Sequence, residues 1–282
     1  MSAHAPLLVV IDPVARTLDG ESVRIAKDVL RAGADSLKFC LPDSVAEWER
    51  MLRHRGRRRP VVVGDDAALL RTVRTLRSEG TLGQLTLSYV PVGPRRPQGL
   101  AERFGVPLSA APAARAALEG AERALDLLVD DSGGIVVGAL RIPGVDGRPE
   151  PAPEPADARP PESGDGAARR HWLERGARSL ARALSGPHGH PMEHLLRVEA
   201  DGVLLADLDR PVHQVCVDAP DGGLALVRVH QAGDRTTLSA HEFSVSGRDF
   251  RYRADEAVCG PVRHRTWTVH PSAWRLTVPA KD

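Results

Sequence analysis

Lysine is almost missing from this sequence. Of its 38 basic residues only Lys27, Lys38 and Lys281 are lysine, and the other 35 are arginine. With abundant Ala, Gly and Pro, that is the mark of coding bias, so a single arginine carries little chemical information. Cysteine is scarce too: Cys40, Cys216 and Cys259 lie far apart. Such scattered thiols exclude a disulfide framework and a zinc site of ordinary spacing. No apolar run reaches the ~18 residues of a membrane-spanning helix. The first residues show no basic stretch followed by an apolar core, so no signal peptide is expected. A net charge of +1 gives no global field for nucleic acid. These absences together lead to the expectation of a soluble, cytoplasmic protein with no nucleic-acid partner.

What is present suffices for two modest domains: 282 residues, 42% of them hydrophobic. The chain reads outward from Pro60-Val61-Val62-Val63-Gly64-Asp65-Asp66. A β-branched run ends at Gly-Asp, and Leu69, Leu70, Val73 and Leu76 then fall on one helical face. This is strand, turn, helix entry. Its free N–H groups and helix dipole suit a phosphate. It equally suits an ordinary capped helix, with Asp65 or Asp66 as the cap.

Before that turn, Leu7–Ile11 reads as a buried strand closed by a turn at Asp12-Pro13. A helix through Val23, Ala26 and Leu30 follows, then a strand at 36–41 and a helix at 45–52 carrying Trp48. The run Arg53-His54-Arg55-Gly56-Arg57-Arg58-Arg59 is either a solvated connection or a lure for anionic lipid. After it come a strand at 85–90, the turn Pro91-Val92-Gly93-Pro94, and helices at 100–104 and 111–118. Strands alternating with helices over residues 1–125 indicate an α/β domain with a mainly parallel sheet. Ligands bind such sheets at the carboxyl ends of the strands, so the turns at Asp12, Gly64 and Gly93 share one edge.

Residues 126–282 change character. Short strands and Asx-Gly turns read as an all-β sandwich, with the last strand free to return to the first domain. Within it, 149–166 reads as a flexible Pro-rich acidic loop and 172–184 as an amphipathic helix. His188, His190, Glu193 and His194 invite a metal reading, which their spacing and Pro191 oppose. Trp267 and Trp274 alternate with apolar residues and read as core.

This layout resembles the diacylglycerol kinase catalytic family, the soluble bacterial lipid kinases. There a Gly-Gly-Asp-Gly-Thr turn holds nucleotide phosphates. Here Val63-Gly64-Asp65-Asp66-Ala67 stands in its place, and only Gly64 and Asp65 match. The family's Asn-Pro strand end resembles Asp12-Pro13. Its Pro-x-Gly-Thr turn and Leu-Ala-Arg…Leu-Gly-x-Pro helix resemble Pro91-Val92-Gly93 and the segment from Leu100 to Pro107. Its Arg-x-x-Asp resembles Arg123…Asp126. Its Asp-Gly-Glu segment resembles Asp255-Glu256-Ala257, in which only the Asp is kept.

The resemblance implies ATP and Mg²⁺ as cofactors and a lipid alcohol such as diacylglycerol as acceptor. It implies a nucleotide site at Gly64, Asp65, Asp66, Gly93 and Asp12, metal near Asp65 and Asp126, and Asp255 as base. Transfer needs a phosphate cradle, a charge-offsetting metal and an in-line hydroxyl. Asp66 works against the cradle: two unit charges 4 Å apart cost roughly 4 kcal/mol at an effective dielectric near 20. Arg71, Arg95 and Arg96 are the candidates to compensate. Two readings therefore stand, an ATP-dependent lipid kinase and a kinase-like protein that has lost transfer and serves as a binding or regulatory module.

Overall fold

The computed structural model describes residues 5–93, 99–143, 194–218 and 220–280. The expected acidic loop at 149–166, the helix at 172–184, His188, His190, Glu193, Arg95 and Arg96 lie outside the described residues.

The first strand, β1 (Leu7–Ile11), is buried along its whole length, as a parallel strand covered on both faces must be. Where the sequence suggested a turn at Asp12-Pro13, the chain enters a short helix, α1 (Pro13–Leu18). Asp12 caps it, accepting from the N–H of Val14 at 2.9 Å and of Ala15 at 3.2 Å, and Pro13 suits the first helical position. Then follow α2 (Gly20–Gly33), β2 (Leu37–Cys40), α3 (Val45–Arg53), β3 (Arg59–Gly64) and α4 (Asp66–Ser78). The unit continues with β4 (Thr86–Pro91), α5 (Leu100–Phe104) and α6 (Ala110–Glu119). Strands β2, β1, β3 and β4 lie side by side, all parallel. Helix α2 packs on α6, and α3 on α4. Trp48 on α3 is 1% exposed and donates its Nε1–H to Thr72 Oγ1 on α4.

The rest of the described chain is β: β5 (Ala121–Asp130), β6 (Ile135–Val136), β7 (Ala139–Ile142), β8 (Leu196–Ala200), β9 (Val203–Ala206), β10 (Val212–Asp218), β11 (Ala225–Gln231), β12 (Asp234–Ala240), β13 (Glu242–Ala254) and β14 (Ala257–Val278). Their pairings are antiparallel, with one exception. The end of β14 lies parallel to β4, Arg275 opposite Thr86, and so completes the parallel sheet. Trp267 and Trp274 lie on this one long strand. A register shift between His270 and Trp274 marks the crossing from one layer to the other, with Ser272 at φ +50°.

Two cores result. One gathers the parallel strands, their helices, Trp274 and Leu276. The other gathers the antiparallel strands around Trp267, which stacks on Phe243 at 5.0 Å and meets Tyr252 edge-on. The expected α/β unit followed by an all-β unit is the architecture present.

Candidate functional site

A cavity of about 330 Å³ opens at the carboxyl edge of the parallel strands. The starts of α2, α4 and α6, the end of β4 and Glu256 line it. Its size falls in the ordinary range for small-ligand sites. Among the described residues its charged lining is entirely acidic: Asp19, Asp65, Asp66, Glu102 and Glu256. Gly93 and Gly99 border it, and the sequence between them holds Arg95 and Arg96.

Each carboxylate at the α4 entrance has a protein partner. Asp65 is the helix cap and accepts from the N–H of Ala68 at 3.0 Å. Asp66 bridges two elements: Oδ1 accepts from the Tyr89 hydroxyl at 3.0 Å, and Oδ2 from the N–H of Leu100 at 2.8 Å. Burial, and then the Asp66 charge, push the Tyr89 phenol far above its ordinary value, so it stays a donor. Gly93, at φ +129°, makes a bend that a side chain would strain, and places its Cα beside Asp65.

Gly64 is buried and is not in the cavity lining. A Cβ there would sit 2.8 Å from the Cβ atoms of both Ala68 and Asp12. The missing side chain makes room for neighbouring side chains. Asp12, 3% exposed, serves α1 and accepts from Arg71 Nη1 at 3.2 Å. Arg71 also lies over the Trp48 ring at 5.3 Å, so its charge is already engaged.

Asp126 lies outside the cavity lining. It accepts from the N–H of Gly223 at 2.6 Å and of Ser272 at 2.7 Å, and its carbonyl accepts from Trp274 Nε1 at 3.2 Å. It fastens a sandwich turn to the β14 crossing. Asp255 is held just as fully. Its carboxylate accepts from three successive backbone N–H groups, Val137 at 3.0 Å, Gly138 at 2.6 Å and Ala139 at 3.1 Å. Its own N–H donates to the Ala139 carbonyl, and its φ is +54°. Burial raises its carboxyl above the ordinary value, with the three N–H bonds and Arg74 pulling the other way.

Tyr89, Glu102, Asp19 and Glu256 line the cavity without having been singled out from the sequence. Tyr89 sits in an apolar strand and reads there as core. Asp19 had a usable signal, an Asx before a helical run, and it caps α2 through the N–H of Ser22 at 3.1 Å. The first turn of α6 has no side-chain cap on Ser109, so it is an electropositive element of the wall.

An α/β layer is thus joined to an antiparallel β unit, with a cavity at the carboxyl edge lined by residues of both. No protein-family model matches this sequence, and no curated protein does. Solved structures match it in fold. A “putative diacylglycerol kinase” from Bacillus anthracis str. Sterne superposes with TM-score 0.70 at 12% identity, covering 99% of this chain and 98% of that one. A second structure with the same description and organism gives 0.69 at 12% with the same coverage. A structure described as diacylglycerol kinases from that organism gives 0.69 at 11%, again covering 99% and 98%. The chain is thus similar to diacylglycerol kinases in fold.

The described residues bear on a nucleotide and a metal in both directions: the uncapped start of α6 and Gly93 would favour a phosphate, and the acidic lining would need a cation beside it. Among them, no group of three or more His, Cys, Asp or Glu is placed to hold a metal ion. The carboxylates at the α4 entrance oppose a polyphosphate, and Arg71 is committed elsewhere.

Proposed function

We propose that this chain is a binding module on a diacylglycerol-kinase fold, in which phosphoryl transfer has lapsed and the interdomain cavity is kept for a ligand. One observation carries this reading: the acids that the family resemblance assigns to phosphate, metal and base are each bound to the protein's own donors. Asp66 holds Tyr89 and Leu100, Asp126 holds Gly223 and Ser272, and Asp255 holds three consecutive amides. A carboxylate whose oxygens are already taken by three backbone N–H groups has little lone-pair capacity left to meet a substrate hydroxyl, whatever its pKa.

The other reading is ATP-dependent phosphorylation of a lipid alcohol such as diacylglycerol. It draws on a specific feature: Asp65, Gly93 and the uncapped first turn of α6 share one cavity, with Arg95 and Arg96 in the adjoining sequence.

The melting temperature with and without Mg²⁺-ATP separates the two. A native-state ligand at 100 times its Kd stabilises by about 2.7 kcal/mol. The binding-module reading expects no phosphate transfer, and no shift at millimolar nucleotide beyond the one that inorganic pyrophosphate gives. A clear upward shift, with phosphate transferred to diacylglycerol vesicles, would replace it with the kinase reading.

A further inference from the structure

The arginine run closes on itself at the amino edge of the same parallel strands. Gly56, at φ +61°, turns the chain, and the N–H of Arg58 donates to the Arg55 carbonyl at 3.2 Å. Arg275 joins from β14, where it pairs with Thr86 at the start of β4. The result is a groove of about 480 Å³ lined by Arg55, Arg57, Arg58, Arg59 and Arg275, with Glu122 the one carboxylate among its described residues. The six residues of β3 put it about 20 Å from the cavity at the other edge.

These arginines divide by role. Arg59 donates to Thr277 Oγ1 at 2.9 Å and to the Ala117 carbonyl at 2.6 Å. Burial lowers its pKa, with the Glu122 charge opposing. Arg55 donates to the Leu52 carbonyl at 2.9 Å and to Glu79 at 3.1 Å. Those two hold the frame. Arg57, Arg58 and Arg275 make no ion pair or side-chain hydrogen bond among the described residues, and Arg58 Nε is buried without an acceptor. Unmade buried donors are expensive, and guanidinium forks match the oxygens of a phosphate.

We propose that Arg57, Arg58 and Arg275 form a binding site for a phosphate-bearing anion at the amino edge of the parallel sheet. The same chemistry is offered by a phospholipid headgroup and by a soluble phosphorylated molecule. The site is independent of how the interdomain cavity is read.

The test uses the full chain and two probes. Vesicles of phosphatidylcholine containing phosphatidic acid are compared with phosphatidylcholine alone by sedimentation. Inorganic pyrophosphate is titrated while the melting temperature is followed. The wild type binds at least one probe, and binding weakens as salt is raised. Sedimentation with acidic vesicles assigns a lipid source, and a pyrophosphate shift without vesicle binding assigns a soluble one. Either supports the site if the triple variant Arg57→Glu/Arg58→Glu/Arg275→Glu abolishes it. If that variant fails to melt cooperatively, the single variants Arg57→Glu and Arg275→Glu, on separate elements, each lower affinity at least about fivefold. Absence of binding to both probes overturns the proposal. So does binding that the variants retain, or capture of a labelled RNA oligonucleotide when both phosphate probes fail.

Discussion

At the carboxyl edge of the parallel strands the described charged residues around the cavity are all acids; at the amino edge, about 20 Å away, the groove holds five arginines and one glutamate. Part of this polarity follows from the fold. Helices that return antiparallel to the strands gather their positive ends at the carboxyl edge and their negative ends at the other. Asp12, Asp19 and Asp65 accordingly cap α1, α2 and α4, while Arg50 and Arg53 sit in the last turn of α3 and Arg77 in that of α4. The remainder is instructive. The capping acids, with Asp66 and Asp255, act as structural clamps at the edge where such folds bind ligands. Arg57, Arg58 and Arg275 go beyond what the fold uses at the edge where it does not. What each charged group already holds, and not its sign alone, separates the two edges.

The sharpest way to break that contrast is at Asp255. Asp255→Gly keeps the left-handed backbone and removes the acceptor of three N–H groups. It is expected to lower stability by about 3–5 kcal/mol in urea unfolding. A loss under about 1 kcal/mol would free this carboxylate for a catalytic role.

Acid titration sharpens the same point, with a smaller effect. Burial pushes the Asp130 carboxyl upward, but bonds from Ser132, Gly134 and Tyr252 outweigh it and hold it below its ordinary value. Its stabilising contribution is therefore complete above the unfolded pKa of about 4 and is lost as pH falls through the folded one. Asp255 has the opposite sign: its raised pKa means that protonation on acidification restores stability. The melting temperature of Asp130→Asn should decline less than that of the wild type between about pH 5 and pH 3. A steeper decline would contradict this assignment.

The smallest effect is expected at the other edge. Arg57→Glu removes no bond and should change stability by less than about 0.5 kcal/mol in the same urea measurement. A loss above about 1 kcal/mol would make the groove a structural feature like the acid edge.

Much of the fold was legible because burial on both faces writes itself as continuous apolar runs. The Leu7–Ile11 and Val61-Val62-Val63 strands, the α4 face and the Trp267 and Trp274 cores all lie where hydrophobic pattern places them. Helix α1 was missed because Asp12-Pro13 is both a turn signal and a cap followed by a favourable first helical residue. The site was less legible. Gly64 invites a phosphate by motif, yet whether the space beside it is open depends on Asp12, which comes from another strand end. Tyr89 and Glu256 enter the cavity from β4 and from the β13–β14 turn, a neighbourhood that no local spacing encodes.

By itself the sequence determined the α/β-then-β order, the apolar strands and the capped helix entries, since these depend on periodicity and on bonds between near neighbours. Only the tertiary structure decided which carboxylates are occupied, because their partners sit far away in sequence: Leu100 for Asp66, Val137 to Ala139 for Asp255, Gly223 for Asp126. A hydrogen-bond acceptor's availability is set by what the folded chain brings within 3 Å of it, and that depends on long-range packing.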